Sequence, residues 1–134
     1  MKKLAITAIG IAAIGLQSGA ALADEFTQED VDRWMDQFEQ VAAEGRAHWT
    51  DGNLGTNGVA CAQCHPNAAN THPETYPKFQ KQLGRVVHLW EMINWCLRNP
   101  LEGEELEADD PKMIALQAYV YKERAGIPLS PGKH

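Results

Sequence analysis

The strongest constraint on this chain is the motif C-A-Q-C-H, in which Cys61 and Cys64 stand three positions apart and His65 follows directly. In an exported protein this spacing is typical of covalent haem attachment, because two thiols can add across the two vinyl groups of one haem. The next residue is then turned so that its imidazole meets the iron. The motif therefore predicts one covalently bound haem c, attached through Cys61 and Cys64, with His65 as the proximal iron ligand.

Other uses of the Cys61–Cys64 pair need features that the sequence does not supply. A structural zinc site would need a second pair of ligands at matching spacing, and a thioredoxin-like redox pair would need a βαβ context. A chance disulfide is the remaining alternative. A haem also explains how so short a chain completes its core, because a small helical domain buries little apolar surface alone.

The N-terminal segment has the three parts of a secretory signal peptide. Two lysines follow Met1, an almost unbroken apolar run extends over Leu4–Leu16, and an A-L-A cleavage site ends at Ala23. The alternative is an uncleaved membrane anchor, since the apolar run is not far short of a spanning helix. We expect residues 1–23 to be removed and residues 24–134 to form one exported, periplasmic domain without stable membrane insertion.

Size and charge narrow the possible partners. The chain has 134 residues and a formal net charge of −6, with a pI near 5.3, which fits one acidic globular domain. Because nucleic-acid binding needs a basic surface, no nucleic-acid partner is expected. Redox partner proteins are expected instead. The acidic run of residues 102–110 would suit a basic partner, although a solvated loop ending in a helix cap explains the same run.

Three helices are predicted and no segment has a convincing strand pattern, so the expected fold is all-α. The first helix spans Thr27 to about His48, with its first threonine as the N-cap. The second runs from Lys78 to about Leu97. The third begins with Pro111 at its first position, behind Asp109 or Asp110 as the cap.

Apolar residues at steps of three and four predict the buried face of each helix. Gly45 is expected to weaken the last turn of the first helix, and Gly84 could divide the second. The predicted faces comprise Val31, Trp34, Met35, Phe38, Val41 and Ala42 in the first helix, and Met113, Ile114, Leu116, Val120 and Tyr121 in the third. Trp49, Trp90 and Trp95 are expected to wall the haem.

Local spacing leaves the distal iron ligand open. Met92 and Cys96 lie one helical turn apart, so both side chains can face the same object. Cys96 is also the cysteine outside the motif, and a lone thiol in an oxidising compartment is a liability unless it is buried, paired between chains or bound to a metal. The alternative for Cys96 is a small buried residue, and for Met113 it is core packing. The candidates are Cys96, Met92, Met113, Met35, His72, His88 and His48.

Two further segments resemble a known family of cysteine-ligated haem domains. The first runs from Tyr76-Pro77 through Gly84-Arg85-Val86 to Ile93–Leu97, where it has the pattern I-N-x-C. The second is the helix segment Asp110–Tyr119, followed by Gly126-Ile127-Pro128. Both are similar to segments of the haem-bearing A subunit of the Sox sulfur-oxidation complex and of thiosulfate dehydrogenase. The resemblance extends over residues 61–129.

The resemblance implies a small cytochrome c-like helical domain around one covalent haem, occupying residues 24–134. In this family the I-N-x-C segment supplies a cysteine as the distal iron ligand. The resemblance therefore assigns that role to Cys96, with Met92 or Met113 as alternatives.

Two functions compete for this chain. The first is a periplasmic monohaem c-type cytochrome that carries single electrons between redox partners, and the second is a subunit or enzyme of thiosulfate oxidation with Cys96 at the haem. Relatives that process sulfur compounds normally place a second haem nearby, whereas this chain has one attachment motif. Arg85 and Arg98 could hold a sulfur oxyanion, but solvated helix positions explain both. The sequence therefore favours the electron carrier over an enzyme, and a gas sensor is a third possibility.

Overall fold

The computed structural model of the protein describes residues 26–129, so the predicted signal peptide lies outside the described residues. Within this range four α-helices, two short 3-10 turns and one two-stranded hairpin are joined by loops. The elements are α1 (Gln28–Thr50), α2 (Cys61–Cys64), β1 (Lys78–Gln80), β2 (Arg85–Val87), α3 (Leu89–Arg98) and α4 (Pro111–Arg124). None of the described helices is long and apolar enough to cross a membrane. The small, mainly helical fold expected from the sequence is confirmed.

Capping signals set the starts of the two long helices, as the sequence predicts. The Thr27 hydroxyl oxygen accepts a hydrogen bond from the Asp30 backbone N–H at 3.1 Å, and Asp30 Oδ2 accepts one from the Thr27 backbone N–H at 3.1 Å. This reciprocal pair is a capping box. At the start of α4, Asp110 Oδ1 accepts a hydrogen bond from the Lys112 backbone N–H at 2.8 Å, with Pro111 in the first position.

α1 and α4 pack against each other and run antiparallel. Glu39 near the middle of α1 pairs with Lys122 near the end of α4, and Gly45 lies against Ala115. A Cβ atom on Gly45 would lie 1.9 Å from the Ala115 carbonyl oxygen, so the glycine allows the two backbones to approach. Gly45 therefore has a packing role that the sequence does not indicate. The core around this contact contains Trp49, Ala68, Leu89, Ile93, Leu97, Leu101, Met113, Leu116, Tyr119 and Val120.

The prediction of a helix from Lys78 to Leu97 is wrong in its first half. Lys78–Gln80 and Arg85–Val87 form an antiparallel hairpin, in which Phe79 is opposite Val86. The turn between the strands ends at Gly84, whose φ of +67° lies in the left-handed region that favours glycine. The helix itself begins only at Leu89.

Parts of the predicted apolar faces are exposed. Val31, Trp34 and Met35 of α1 are 39%, 42% and 52% exposed, and Ile114 and Tyr121 of α4 are 47% and 45% exposed. Length explains the α1 residues, because α1 extends about 34 Å and α4 only about 21 Å. The N-terminal part of α1 therefore projects beyond its antiparallel neighbour. The remaining predicted positions of α4, Met113, Leu116 and Val120, are fully buried as expected.

Candidate haem site

The two motif thiols stand on a single helical turn. α2 consists only of residues 61–64, and the His65 backbone N–H closes it with a hydrogen bond to the Cys61 carbonyl oxygen at 2.9 Å. Residues three apart on a helix share a face, so the turn presents both thiols to the same cavity. Cys61 is half-buried, whereas Cys64 is exposed. The site therefore has one half-buried thiol and one thiol at the protein surface.

The imidazole of His65 is oriented by its neighbours. Its Nδ1 lies 2.8 Å from the Ala69 carbonyl oxygen, to which it donates as the Nδ1–H tautomer. This bond leaves Nε2 as the free lone-pair nitrogen, which is the arrangement found in metal-binding histidines. The backbone is held as well, because Trp49 Nε1 donates to the His65 carbonyl oxygen at 2.9 Å.

Cys61, Cys64 and His65 line a cavity of about 480 Å³. This volume is within the range of ligand and cofactor sites in proteins, about 300–1,000 Å³. The cavity wall is also formed by Trp49, Ala60, Asn70, Thr71, His72, Tyr76, Lys78, Phe79, Gln80, Gln82, Leu89, Met92, Ile93, Trp95, Cys96, Pro100, Leu101 and Val120. Two of the three expected tryptophans, Trp49 and Trp95, contribute to the wall, whereas Trp90 packs against the core.

α3 places two of the candidate distal ligands, Met92 and Cys96, on the cavity wall one turn apart. Burial, reinforced by the nearby Cys64, raises the pKa of the Cys96 thiol to about 11. Burial, together with the nearby Cys96, likewise raises the pKa of Cys61 to about 12. Without a metal, both groups are therefore neutral thiols at pH 7, and a bound metal ion is what deprotonates such a thiol.

The other candidate ligands have different positions. His72 lines the cavity, whereas Met113 is fully buried in the core and is not part of the cavity wall. Met35 is 52% exposed on α1, His88 is the N-cap of α3, and His48 is in the last turn of α1. Of the seven, only Cys96, Met92 and His72 share the cavity with His65 in the part of the chain that the structure describes.

The buried asparagine of the I-N-x-C segment has a structural role. Asn94 is 3% exposed, and its Nδ2 donates to the Leu106 carbonyl oxygen at 2.8 Å while its Oδ1 accepts from the Leu106 backbone N–H at 3.0 Å. This pair of hydrogen bonds attaches the acidic run of residues 102–110, called the acidic loop below, to α3. Sequence reasoning did not assign this role, although a polar residue on an apolar helix face was a signal for it.

The two arginines that the sequence offers for holding an oxyanion do not line the cavity, whereas a lysine does. Arg85 pairs with Glu91 at 2.6 Å and Arg98 pairs with Glu105 at 2.8 Å, and neither arginine lines the cavity. Lys78 lines it instead. Sequence reasoning missed this residue because it placed Lys78 at the start of a helix, whereas the hairpin turns the strand toward the cavity.

The residues of this cavity fit a covalent haem. They provide two thiols at the required spacing, an imidazole with its Nε2 free, and a thiol and a thioether on α3 as possible second ligands. Aromatic and aliphatic side chains supply the apolar surface that the macrocycle needs. The exposed position of Cys64 places one side of the site at the protein surface.

Comparisons with known proteins agree with this chemistry. The family model described as SoxA/TsdA, cytochrome c domain, matches residues 44–129. The L-cysteine S-thiosulfotransferase subunit SoxA of Rhodovulum sulfidophilum is 33% identical over 103 residues, which cover 72% of this chain and 36% of that protein. The thiosulfate dehydrogenase of Allochromatium vinosum is 31% identical over 85 residues, which cover 54% of this chain and 32% of that protein. The chain thus spans about a third of the length of these curated relatives.

Proposed function

The chain belongs to the SoxA/TsdA cytochrome c domain family, and from this premise we propose that it is a monohaem electron carrier of sulfur-compound oxidation. Domains of this family hold a covalently bound c-type haem, and the chain has one C-x-x-C-H motif to receive it. The haem supplies reversible one-electron chemistry at its iron. The observation that carries the proposal is the meeting of Cys61, Cys64, His65 and Cys96 on one cavity.

Each of these residues has a separate role in the proposal. Cys61 and Cys64 hold the haem through thioether bonds, and His65 binds the iron through its free Nε2. Cys96 would be the other residue that holds the iron, because it lines the same cavity and belongs to the segment that supplies this ligand in the family. The exposed Cys64 brings one edge of the cofactor to the surface, where a partner can exchange an electron in a brief contact.

The electron count favours a carrier over a self-sufficient oxidase. Joining two thiosulfates into one tetrathionate removes two electrons, whereas a single haem iron accepts one. We therefore assign the chain the electron-transfer part of such a reaction.

Export to the periplasm is part of the proposal. The signal peptide proposed at residues 1–23 would deliver the chain to the compartment in which c-type haems are attached. The partners proposed there are redox proteins, with a basic surface favoured by the net charge of −6. Neither nucleic acid nor stable membrane insertion is part of the proposal.

One observation favours a second candidate, a sulfur-compound enzyme or enzyme subunit. Cys96 and the cationic Lys78 line the same cavity, so a thiol and a group able to attract an oxyanion are close to the proposed haem. In that case Cys96 would take part in the chemistry as well as in iron binding.

Two rates measured on the purified holoprotein, electron exchange and thiosulfate turnover, distinguish the electron carrier from the enzyme. For a carrier, the reduced protein should exchange electrons rapidly with a basic redox protein in stopped-flow mixing, with negligible steady-state turnover of thiosulfate and an artificial acceptor. Sustained thiosulfate turnover that disappears in Cys96→Ala would contradict the carrier and support the enzyme. Met92→Leu, on the same wall one turn away, is the matched control for the substitution.

A further inference from the structure

Part of the surface of α1 and α4 is apolar and lies outside the haem cavity. It is formed by Trp34, Phe38 and Val41 of α1 and by Ile114 and Tyr121 of α4, and it is called the outer face below. Trp34, Ile114 and Tyr121 are exposed and the other two residues are half-buried. None of the five lines the haem cavity, and none has a role in the electron carrier described above.

The outer face contains a groove between the two helices. The groove is lined by aromatic, aliphatic and uncharged polar side chains, namely Gln37, Phe38, Val41, Ile114, Gln117, Ala118 and Tyr121. Exposed apolar surface of this kind marks sites where another molecule packs.

An aromatic projection stands beside the groove. Trp34 lies one helical turn before Phe38, so the two side chains share a row on α1. The Phe26 ring meets the Trp34 indole edge to face, with the ring centroids 5.0 Å apart, and both residues are exposed. The outer face therefore has a projection and a recess, which together suit the self-complementary contact of a two-fold dimer.

The charges around the outer face are paired within the chain. On the α1 side Arg33 pairs with Asp30 at 2.5 Å, and on the α4 side Lys122 pairs with Glu39. Asp36 is two positions from Phe38, which places it on the opposite side of α1. Because the outer face is apolar and its neighbouring charges are neutralised, it does not select a charged partner, whereas a second copy of the same surface matches it.

The projection and the far end of the groove are well separated within one chain. Trp34 lies about 16 Å along α1 from Gly45, given the rise per residue of an α-helix, and Gly45 lies against Ala115. Ile114 is therefore out of reach of Trp34 in the same chain. When two copies meet antiparallel, the projection of each can reach the groove of the other.

We propose that the outer face is the interface of a homodimer, in which the Phe26–Trp34 projection of each copy packs into the groove of the other. The contact is isologous, so each copy supplies one projection and one groove. Because the outer face and the haem cavity share no residue, the dimer leaves both haem sites open to redox partners.

The first test is the salt dependence of the association, measured by sedimentation equilibrium of the purified holoprotein over a range of concentrations. Each copy carries a net negative charge, so the copies repel each other at low salt. Salt screens this repulsion and leaves the apolar contact intact. The dimer should therefore become tighter as the salt concentration rises. A dimer that weakens with salt would indicate a charged interface and would contradict the proposal.

The second test places a charge on the outer face. Trp34→Glu and Ile114→Glu should each weaken dimerisation by roughly tenfold or more, because a carboxylate would be buried without a partner. Gln40→Glu is the matched control, since it adds the same charge at an exposed position of α1 outside the groove, and it should dimerise like wild type. Circular dichroism of the variants checks that their helices are intact.

The third test examines the antiparallel arrangement. A chain with both Trp34→Glu and Ile114→Lys carries opposite charges that are too far apart to pair within one copy. In the dimer each new carboxylate would come beside a new ammonium of the other copy. The double variant should therefore dimerise more tightly than Trp34→Glu or Ile114→Lys alone, and a double variant as weak as the single ones would contradict this arrangement.

A protein that stays monomeric at every concentration and salt would overturn the proposal, as would a dimer that Trp34→Glu and Ile114→Glu leave intact. Electron exchange with a basic redox protein, measured on the same samples, tests the carrier separately. Rapid exchange by a strictly monomeric protein would support the carrier and refute the dimer. A dimer sensitive to Trp34→Glu that exchanges no electrons would support the interface and refute the carrier.

Discussion

At the scale of single residues, the proposed iron ligand Cys96 would have the largest effect on the redox chemistry. A thiolate ligand donates electron density and stabilises ferric iron, so we expect Cys96→Ala to raise the reduction potential. Potentiometric titration, together with the near-red absorption spectrum, measures this effect. Met92→Leu is the matched control, because it alters the same wall one turn away, and it should leave both measurements close to wild type.

An absorption band from a thioether bound to iron that survives Cys96→Ala and vanishes in Met92→Leu would identify Met92, rather than Cys96, as the iron ligand. The fully buried Met113 is a weaker alternative than the sequence suggests, since it packs in the core away from the cavity wall. A ligand change at this position would also change which partners can exchange electrons with the protein, because the axial ligand is one of the main determinants of the potential.

The residues proposed to bind the haem differ in how far the sequence reveals them. Cys61, Cys64 and His65 follow from local spacing, because one helical turn is enough to bring the two thiols together. Lys78 could not be found in this way. Its position on the cavity wall depends on a hairpin, which leaves no periodic signal in the sequence.

At the scale of elements, the packing of α1 against α4 decides whether Gly45→Ala raises or lowers the free energy of unfolding. Helix propensity alone would make Gly45→Ala stabilising by about 1 kcal/mol. Because the added Cβ would lie 1.9 Å from the Ala115 carbonyl oxygen, the helices must separate, and overpacking of this kind costs about 1–3 kcal/mol. We expect Gly45→Ala to lower the free energy of unfolding, as measured by chemical denaturation.

The control for this prediction lies on the same helix. Ala43 is exposed, so Ala43→Gly should destabilise by about 1 kcal/mol through helix propensity alone. A Gly45→Ala protein more stable than wild type would show that α1 and α4 are not held in close contact at this position.

The N-terminus of α3 gives a pH-dependent prediction. Glu91 Oε2 accepts a hydrogen bond from the His88 backbone N–H at 2.8 Å, and Glu91 also pairs with Arg85. These interactions, the backbone bond first, hold the pKa of Glu91 below its ordinary value of 4.5. Because the folded state favours the carboxylate, its stabilising effect is present above pH 4.5 and is lost as the pH falls through the lowered pKa.

We therefore expect Glu91→Gln to be less stable than wild type at neutral pH, with the difference shrinking below pH 4.5. Urea denaturation at several pH values measures it. The control Glu104→Gln removes an exposed carboxylate without such a bond and should match wild type throughout. A difference between Glu91→Gln and wild type that is independent of pH would contradict the assignment.

The elements also show where sequence reasoning succeeds. The starts of α1 and α4 were predictable because Thr27 and Asp110 act through bonds to residues two or three positions away. The hairpin was not, because its apolar residues fit a helical period as well as a strand. Phe79 and Val86 are 63% and 60% exposed, so burial on one helix face was the wrong criterion for this segment.

At the scale of the whole molecule, the acidic loop adjoins the haem cavity. Pro100 and Leu101 line the cavity, and the loop of residues 102–110 continues directly from them. Asn94 fixes this loop to α3 through two hydrogen bonds with the backbone of Leu106. In the proposed carrier this loop would be the contact for a basic redox partner, and the solvated-loop interpretation of the same residues is compatible with this use.

Two triple variants with the same net charge test whether position or total charge matters. The loop variant carries Glu104→Gln, Glu107→Gln and Asp109→Asn, and the helix variant carries Glu29→Gln, Asp36→Asn and Glu44→Gln. All six residues are exposed, and none of the three on α1 lines the cavity. If the loop guides the partner, only the loop variant should slow electron exchange with a basic redox protein, by roughly tenfold at low salt. The difference should shrink near 0.15 M salt, where charges are screened beyond about 8 Å. Equal slowing in both variants would mean that net charge alone, rather than the loop beside the cavity, attracts the partner.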